Sequence, residues 1–205
     1  MKLVAAGQAL IEHPPLAPWG NDLFALRDVL RSAGLALANL EVALQGSSHS
    51  WPMTDGLIHV APASVLDWLR DLGFNGLSLA NNHTGDLGPE SLMAEHDVAC
   101  GKGFISAGAG RDPSAAAAAA FGGRPDAPVA LIAASAAYGR VAGSARAGQG
   151  ELPSRPGVNG VAVRRVLDAE PELFRALQRF VEVTGHAGRV ERDVSSGRRK
   201  SLTEG

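Results

Sequence analysis

Three short polar clusters in this 205-residue chain carry residue types able to do chemistry, and each directly follows an apolar run. The most informative is Asn81-Asn82-His83-Thr84-Gly85-Asp86, after Ser78-Leu79-Ala80. Asparagine offers a neutral oxygen ligand, and histidine is a metal ligand or a general acid near neutral pH. The same residues also suit a plain turn, because asparagine bonds to neighbouring backbone and tolerates positive φ. The second cluster is Asn39-Leu40-Glu41, after Leu35-Ala36-Leu37-Ala38. A carboxylate at a strand tip suits a hard or borderline cation; alone, it is equally an exposed loop carboxylate. The third is Gln8, after Leu3-Val4-Ala5-Ala6-Gly7, a neutral amide able to ligate or to donate. His13 follows within reach of the same place. His49, His59, His96 and His186 have no spaced partner and read as non-functional.

These residues need elements to bring them together. Leu3–Ala6 reads as a buried strand ending in a turn at Gly7, Leu35–Ala38 as a second strand and Leu77–Ala80 as a third. Phe104–Ser106 and Val129–Ala134 read as further strands. Between them, Asn21 caps a helix with Leu23, Leu26, Val29 and Leu30 on one face and Gly34 beyond its end. Pro62 opens a helix that Gly73 ends, and Pro89 opens another running to about Ala99. Residues 46 to 60 read as a loop with a short extended piece, and Pro113 to Phe121 as an alanine-rich helix. Strands alternating with helices predict an α/β fold with a largely parallel sheet. Ligands bind beyond the C-terminal ends of such strands, so Gln8, Glu41 and Asn81-Asn82-His83 are expected on one edge. Residues 139 to 160 read as an irregular excursion and Glu172 to Thr184 as a helix with Leu173, Leu177, Phe180 and Val181 apolar. The expected domain is residues 1–185, followed by a polar, disordered tail at 186–205.

Composition excludes several classes. Hydrophobic residues make up 45% and charged residues 20%, as in a globular protein. The formal net charge is −2, so no global charge recruits nucleic acid. Sixteen arginines against three lysines reflect composition, and those of the tail are mixed with Glu191 and Asp193. The single cysteine, Cys100, excludes an intrachain disulfide and a cysteine-based structural zinc site, and reads as a buried thiol. The longest apolar run, Ala127 to Tyr138, is too short for a membrane span. The N-terminal segment is too short for a signal-peptide core, so a cytoplasmic protein is expected. Gly108-Ala109-Gly110 lacks the third glycine of a dinucleotide fingerprint, with Pro113 in its place, and reads as a turn into a helix; a nucleotide-binding α/β module is the weakest of the readings.

Asn39-Leu40-Glu41, Gly73-Phe74-Asn75, Asn81-Asn82-His83-Thr84 with Asp86, Gly108-Ala109-Gly110, Ala145–Gly150 and Pro156–Asn159 together resemble the bacterial capsule-synthesis, poly-γ-glutamate-biosynthesis family (CapA-like) over residues 2 to 165. The resemblance implies a calcineurin-type metallophosphatase-like fold, a sheet layered with helices, of which the chain carries the N-terminal portion. It also implies a dinuclear metal centre at the strand ends. Glu41 would be a bridging carboxylate, Asn82 a metal ligand, His83 the general acid, and Asn81 and Asn39 their outer supports. Metal-activated water would then attack a phosphoester or similar bond of a small-molecule or polymeric anion. The metal is a divalent ion, with Mn, Zn and Fe the options. The family's first strand ends Gly-Asp, where Gln8 stands here as the corresponding, weaker ligand. Its later His-Trp-Gly-x-Glu and Gly-His-x-His motifs are absent, so the chain reads as truncated relative to the family. Two functions are expected: a phosphoesterase-like hydrolase, or a non-catalytic module binding an anionic ligand or polymer.

Overall fold

Leu35-Ala36-Leu37-Ala38-Asn39-Leu40 is strand β2 (Leu35–Leu40), and the fold is built around it. In the computed structural model, residues 1–15, 20–45, 50–136, 143–161 and 170–184 are described. The chain divides into two units, residues 1–163 and 164–205. The first unit is mixed α/β. Strands β1 (Leu3–Ala9), β2, β5 (Gly76–Ser78) and β6 (Ile105–Ala107) form a parallel sheet in the order β1-β2-β5-β6. Parallel neighbours require crossover connections, which helices α1 (Asn21–Arg31), α2 (Ser64–Leu72) and α3 (Pro89–Gly101) supply. Asn75 fixes the sheet's start. Its Oδ1 accepts from Ala36 N at 2.8 Å and its Nδ2 donates to Gly34 O at 3.2 Å, locking the approach to β5 onto that to β2.

Most of the core lies where alternate residues Ala36, Ala38 and Leu40 of β2 meet Val65, Leu66 and Leu69 of α2 and Leu92 of α3. A smaller cluster gathers Ala80, Ala107, Leu131 and Ala133, with Leu37 and Ile105 packed against it. Gly73 ends α2 at φ 119° with a left-handed cap, as its sequence position predicts.

Several expectations are corrected. β1 is longer than read and largely exposed, because it is a sheet edge; Gly7 is no turn but sits at a register break between Ala6 and Gln8. Gly20, not Asn21, occupies the N-cap of α1, whose C-cap is Ser32, and Leu26 and Val29 are exposed. Pro62 does not open a helix but ends strand β4 (Val60–Pro62), which pairs in parallel with β3 (Ala43–Gln45), where the sequence suggests a loop with a short extended piece at 46 to 60. The alanine helix stops early: α4 is Pro113–Ala117, capped by the Asp112 carboxylate on Ala115 N at 2.8 Å. The chain then turns into the antiparallel hairpin β8 (Ala120–Arg124) and β9 (Ala127–Leu131), so the expected fifth strand does not join the parallel sheet. Ahead of α4, β7 (Ala109–Gly110) pairs with β10 (Gly157–Val158), which anchors the excursion after residue 143 to the rest of the first unit. Cys100 is exposed rather than buried.

Glu95, on α3, is buried against β3. Its Oε2 accepts from Leu44 N at 3.1 Å, while Oε1 has no hydrogen-bond partner among the described residues. Desolvation pushes the carboxyl up from an ordinary 4.5 to about 8, against the smaller opposing effect of the Leu44 bond.

The second unit is described through helix α5 (Pro171–Val183), which opens with Pro171 and Glu172 and buries no residue. Leu173, Leu177 and Phe180 are exposed. The tail at 186–205 lies outside the described residues. Among the described residues no helix is long and apolar enough to cross a membrane.

Candidate functional site

Parallel pairing places the three polar clusters on one edge, as expected. Gln8 lies opposite Asn39, and Asn39 opposite Ser78, so the chain leaves all three strands on the same side. Glu41 N donates to Ala9 O at 3.3 Å, which ties the end of β1 to the residue that follows β2.

Asn81 organises the loop after β5. Its Nδ2 donates to Leu40 O at 2.7 Å and to Asn39 Oδ1 at 3.2 Å. Its Oδ1 accepts from His83 N at 2.9 Å and Thr84 N at 3.0 Å. One buried amide thus joins two strand tips and folds the next residues into a turn, the local role that asparagine chemistry allows. Thr84 adds a second clamp, donating from Oγ1 to Leu79 O at 2.6 Å. Asn39 continues the chain of amides by donating from Nδ2 to Glu41 Oε2 at 2.8 Å. Glu41 is buried, and its other oxygen takes no hydrogen bond among the described residues.

The turn delivers His83. Its Nδ1 lies 2.7 Å from Asp86 Oδ2. The Asp86 side chain is 3% exposed and that of His83 21%, so a fixed carboxylate holds a ring that still reaches solvent. With Nδ1 taken, Nε2 is the nitrogen left for proton transfer or ligation. Asp86 is itself held: its N–H bonds to His83 O at 3.0 Å, and Met53 N donates to its carbonyl at 2.9 Å.

Asn82 and Gln8 are exposed, without a side-chain hydrogen bond among the described residues. His13 is exposed too and joins none of these contacts. His59 is the residue that sequence reading passed over. Its ring meets the His83 ring edge to face at 5.3 Å between centroids, and its Nδ1 lies 2.8 Å from Glu12 Oε1. Ala43 N donates to His59 O at 2.8 Å, so the unforeseen β3–β4 pairing positions it. No spacing in the sequence signals that contact. His96 lies apart on α3, beside Asp97 and Cys100. His49 and His186 lie outside the described residues.

A dinuclear metal centre needs several anionic or imidazole donors around two points. Among the described residues, no three of His, Cys, Asp and Glu gather to hold even one ion. Gln8 and Asn82 can offer only neutral amide oxygens beside the one carboxylate of Glu41. The described donors do not fit a dinuclear centre.

Comparison with known proteins agrees with the motif resemblance and extends it past residue 165. Residues 2–200 match the family described as bacterial capsule synthesis protein PGA_cap. Two uncharacterized proteins of Sinorhizobium fredii, y4sH and y4uA, are each 25% identical to this chain over 190 residues, covering 91% of it. The chain spans 41% of the length of these curated relatives. With a match running over nearly its whole length, this chain belongs to the bacterial capsule synthesis protein family.

Proposed function

We propose that this capsule synthesis-type protein has a metallophosphatase-like fold, and that its strand-tip site is phosphoesterase-like, with His83 as the residue that moves the proton. The observation that carries this reading is the bond between His83 and the buried Asp86 at 2.7 Å. A carboxylate in that position orients the imidazole, fixes which nitrogen is free and stabilises the ring when it is protonated. Water adds to the phosphorus of a phosphoester or similar bond on a small-molecule or polymeric anion and releases a proton to solvent, while His83, from Nε2, gives a proton to the leaving oxygen as its bond to phosphorus breaks. Asn81 and Asn39 keep Glu41 and His83 in place through the amide chain between the two tips. Glu41, Asn82 and Gln8 would hold at most one divalent ion, weakly.

The shortage of anionic donors favours a second reading, in which the same cleft binds an anionic ligand without turnover. One pair of measurements separates the two. Elemental analysis of purified protein is expected to give at most one divalent ion per chain; two tightly held ions would overturn the donor argument. Hydrolysis of a generic phosphodiester, with Mn²⁺ or Zn²⁺ supplied, is expected to fall about 100-fold or more in His83→Ala, the range for losing a general acid. Full activity in that variant would sink the role of His83, and wild-type turnover no higher than the protein-free background would leave the binding module.

A further inference from the structure

The opposite edge of the sheet holds a second feature. Residues just before β2, β5 and β6, together with strand β8, enclose an open cavity of about 730 Å³. Arg31, Arg70 and Arg124 line it, with Ser32, Asn75 and Phe121, and among the described residues no carboxylate lines it. In a chain of formal net charge −2, this is a local concentration of positive charge. Lys2 adds to it, donating from Nζ to Ser32 Oγ at 2.7 Å.

Two of these guanidinium groups are held by backbone carbonyls, with no carboxylate partner among the described residues. Arg31 Nη2 donates to Asp71 O at 2.7 Å, and Arg70 Nη1 to Gly103 O at 2.9 Å; both partners are backbone carbonyls. Arg70 also lies over the Phe104 ring, 5.4 Å from its centroid. Gly103 leaves it room, because a Cβ there would stand 3.3 Å from Arg70 Nη1. Arg124 does pair with a carboxylate, Asp126 at 3.0 Å, which is not part of the cavity wall. The C-termini of α1, α2 and α3 also point to this edge, and each carries about half a negative charge. That offsets part of the charge of Arg31 and Arg70 and leaves a positive surplus. Guanidinium groups fixed in place, with donors to spare and little entropy left to lose, suit the planar or tetrahedral oxygens of carboxylate and phosphate.

We propose that this cavity is a binding site for a small organic or inorganic oligoanion bearing two or more phosphate or carboxylate groups. Its volume suits a small molecule. The site is separate from the strand tips, and this proposal does not rest on the role of His83.

The test is calorimetric titration of the full chain at constant ionic strength, with pyrophosphate and citrate as probes and chloride as the control. One saturable site is expected for at least one probe; the probe that binds tells phosphate from carboxylate as the natural group. Arg31→Gln and Arg70→Gln are each expected to weaken binding about ten-fold or more, the scale of one charge-assisted hydrogen bond. Arg31→Lys keeps the charge, loses the fork and is expected to weaken it as well. Should Arg70→Gln fail to fold by circular dichroism, Arg31→Lys and the exposed Arg124→Gln carry the test. His83→Ala is expected to titrate like wild type. Binding that does not saturate, that survives all the arginine changes, or that disappears in His83→Ala overturns the proposal.

Discussion

Glu95→Gln is a sharp test of how the core treats charge. The buried Glu95 carboxyl is pushed from 4.5 to about 8, so the folded chain keeps a proton that the unfolded chain releases above pH 4.5. Below 4.5 both states are protonated and the group costs nothing. Between there and about 8 the unfolded state binds fewer protons, so stability falls as pH rises, by about 1.4 kcal/mol per pH unit. Above about 8 both states are ionised and the loss levels off, near 5 kcal/mol in all by the same linkage. For a chain of about 200 residues, 1 kcal/mol moves Tm by about 2–4 °C, so the slope is about 3–6 °C per pH unit. Glutamine keeps the shape and never ionises, but leaves an amide donor unpaired, a cost of about 1–3 kcal/mol that does not change with pH. The variant should therefore melt below wild type at and below pH 5 and above it at pH 8, with a crossing between about pH 5 and 6.6. Calorimetry or circular dichroism of both proteins across that range reads the difference, and shared contributions such as those of the histidines cancel. A Tm difference that stays constant from pH 5 to 8 would refute the reasoning.

Two further predictions concern the scaffold of the site. Asn81→Ala removes hydrogen bonds to Leu40 O, Asn39, His83 N and Thr84 N, and is expected to cost about 3 kcal/mol in urea unfolding; a change below about 1 kcal/mol would deny Asn81 its clamping role. Gly108→Ala places a Cβ 2.7 Å from Ala80 Cβ and 2.9 Å from Ala133 Cβ at φ +100°, and is expected to cost about 2–4 kcal/mol; an unchanged denaturation midpoint would show that the small cluster yields.

Local pattern shows most of the sheet edge and misses what depends on distant pairing. Strand β2, helix α3 and the ordering of the polar tips follow from apolar runs and their stops, because those signals are encoded within a few residues. The β3–β4 pair escapes that reading because three-residue strands carry too little periodicity, and with it goes the placement of His59. The alanine run after Pro113 has helical propensity, but the chain leaves the helix at Ala118 to pair β8 with β9. The roles proposed for Glu41, Asn82 and Gln8 come from family resemblance, whereas the bond from His83 to Asp86 and the bonds of Asn81 to His83 N and Thr84 N lie within one nine-residue stretch; the bonds of Asn81 to Leu40 O and Asn39 depend on strand pairing.

The register break in β1 has a consequence for how this chain behaves at high concentration. At the end of the sheet order, β1 is paired on one side only among the described residues, and its seven residues carry no charge. An open, uncharged edge is a template on which another chain's strand can add. At Gly7 the ladder to β2 skips a residue, so backbone groups on either side of it fall out of step. An incoming strand finds four residues in step, Leu3 to Ala6, instead of seven, too few for a lasting cross-chain ladder. The same irregularity that carries Gln8 round to face Asn39 thereby shortens the surface along which copies of the protein could stack.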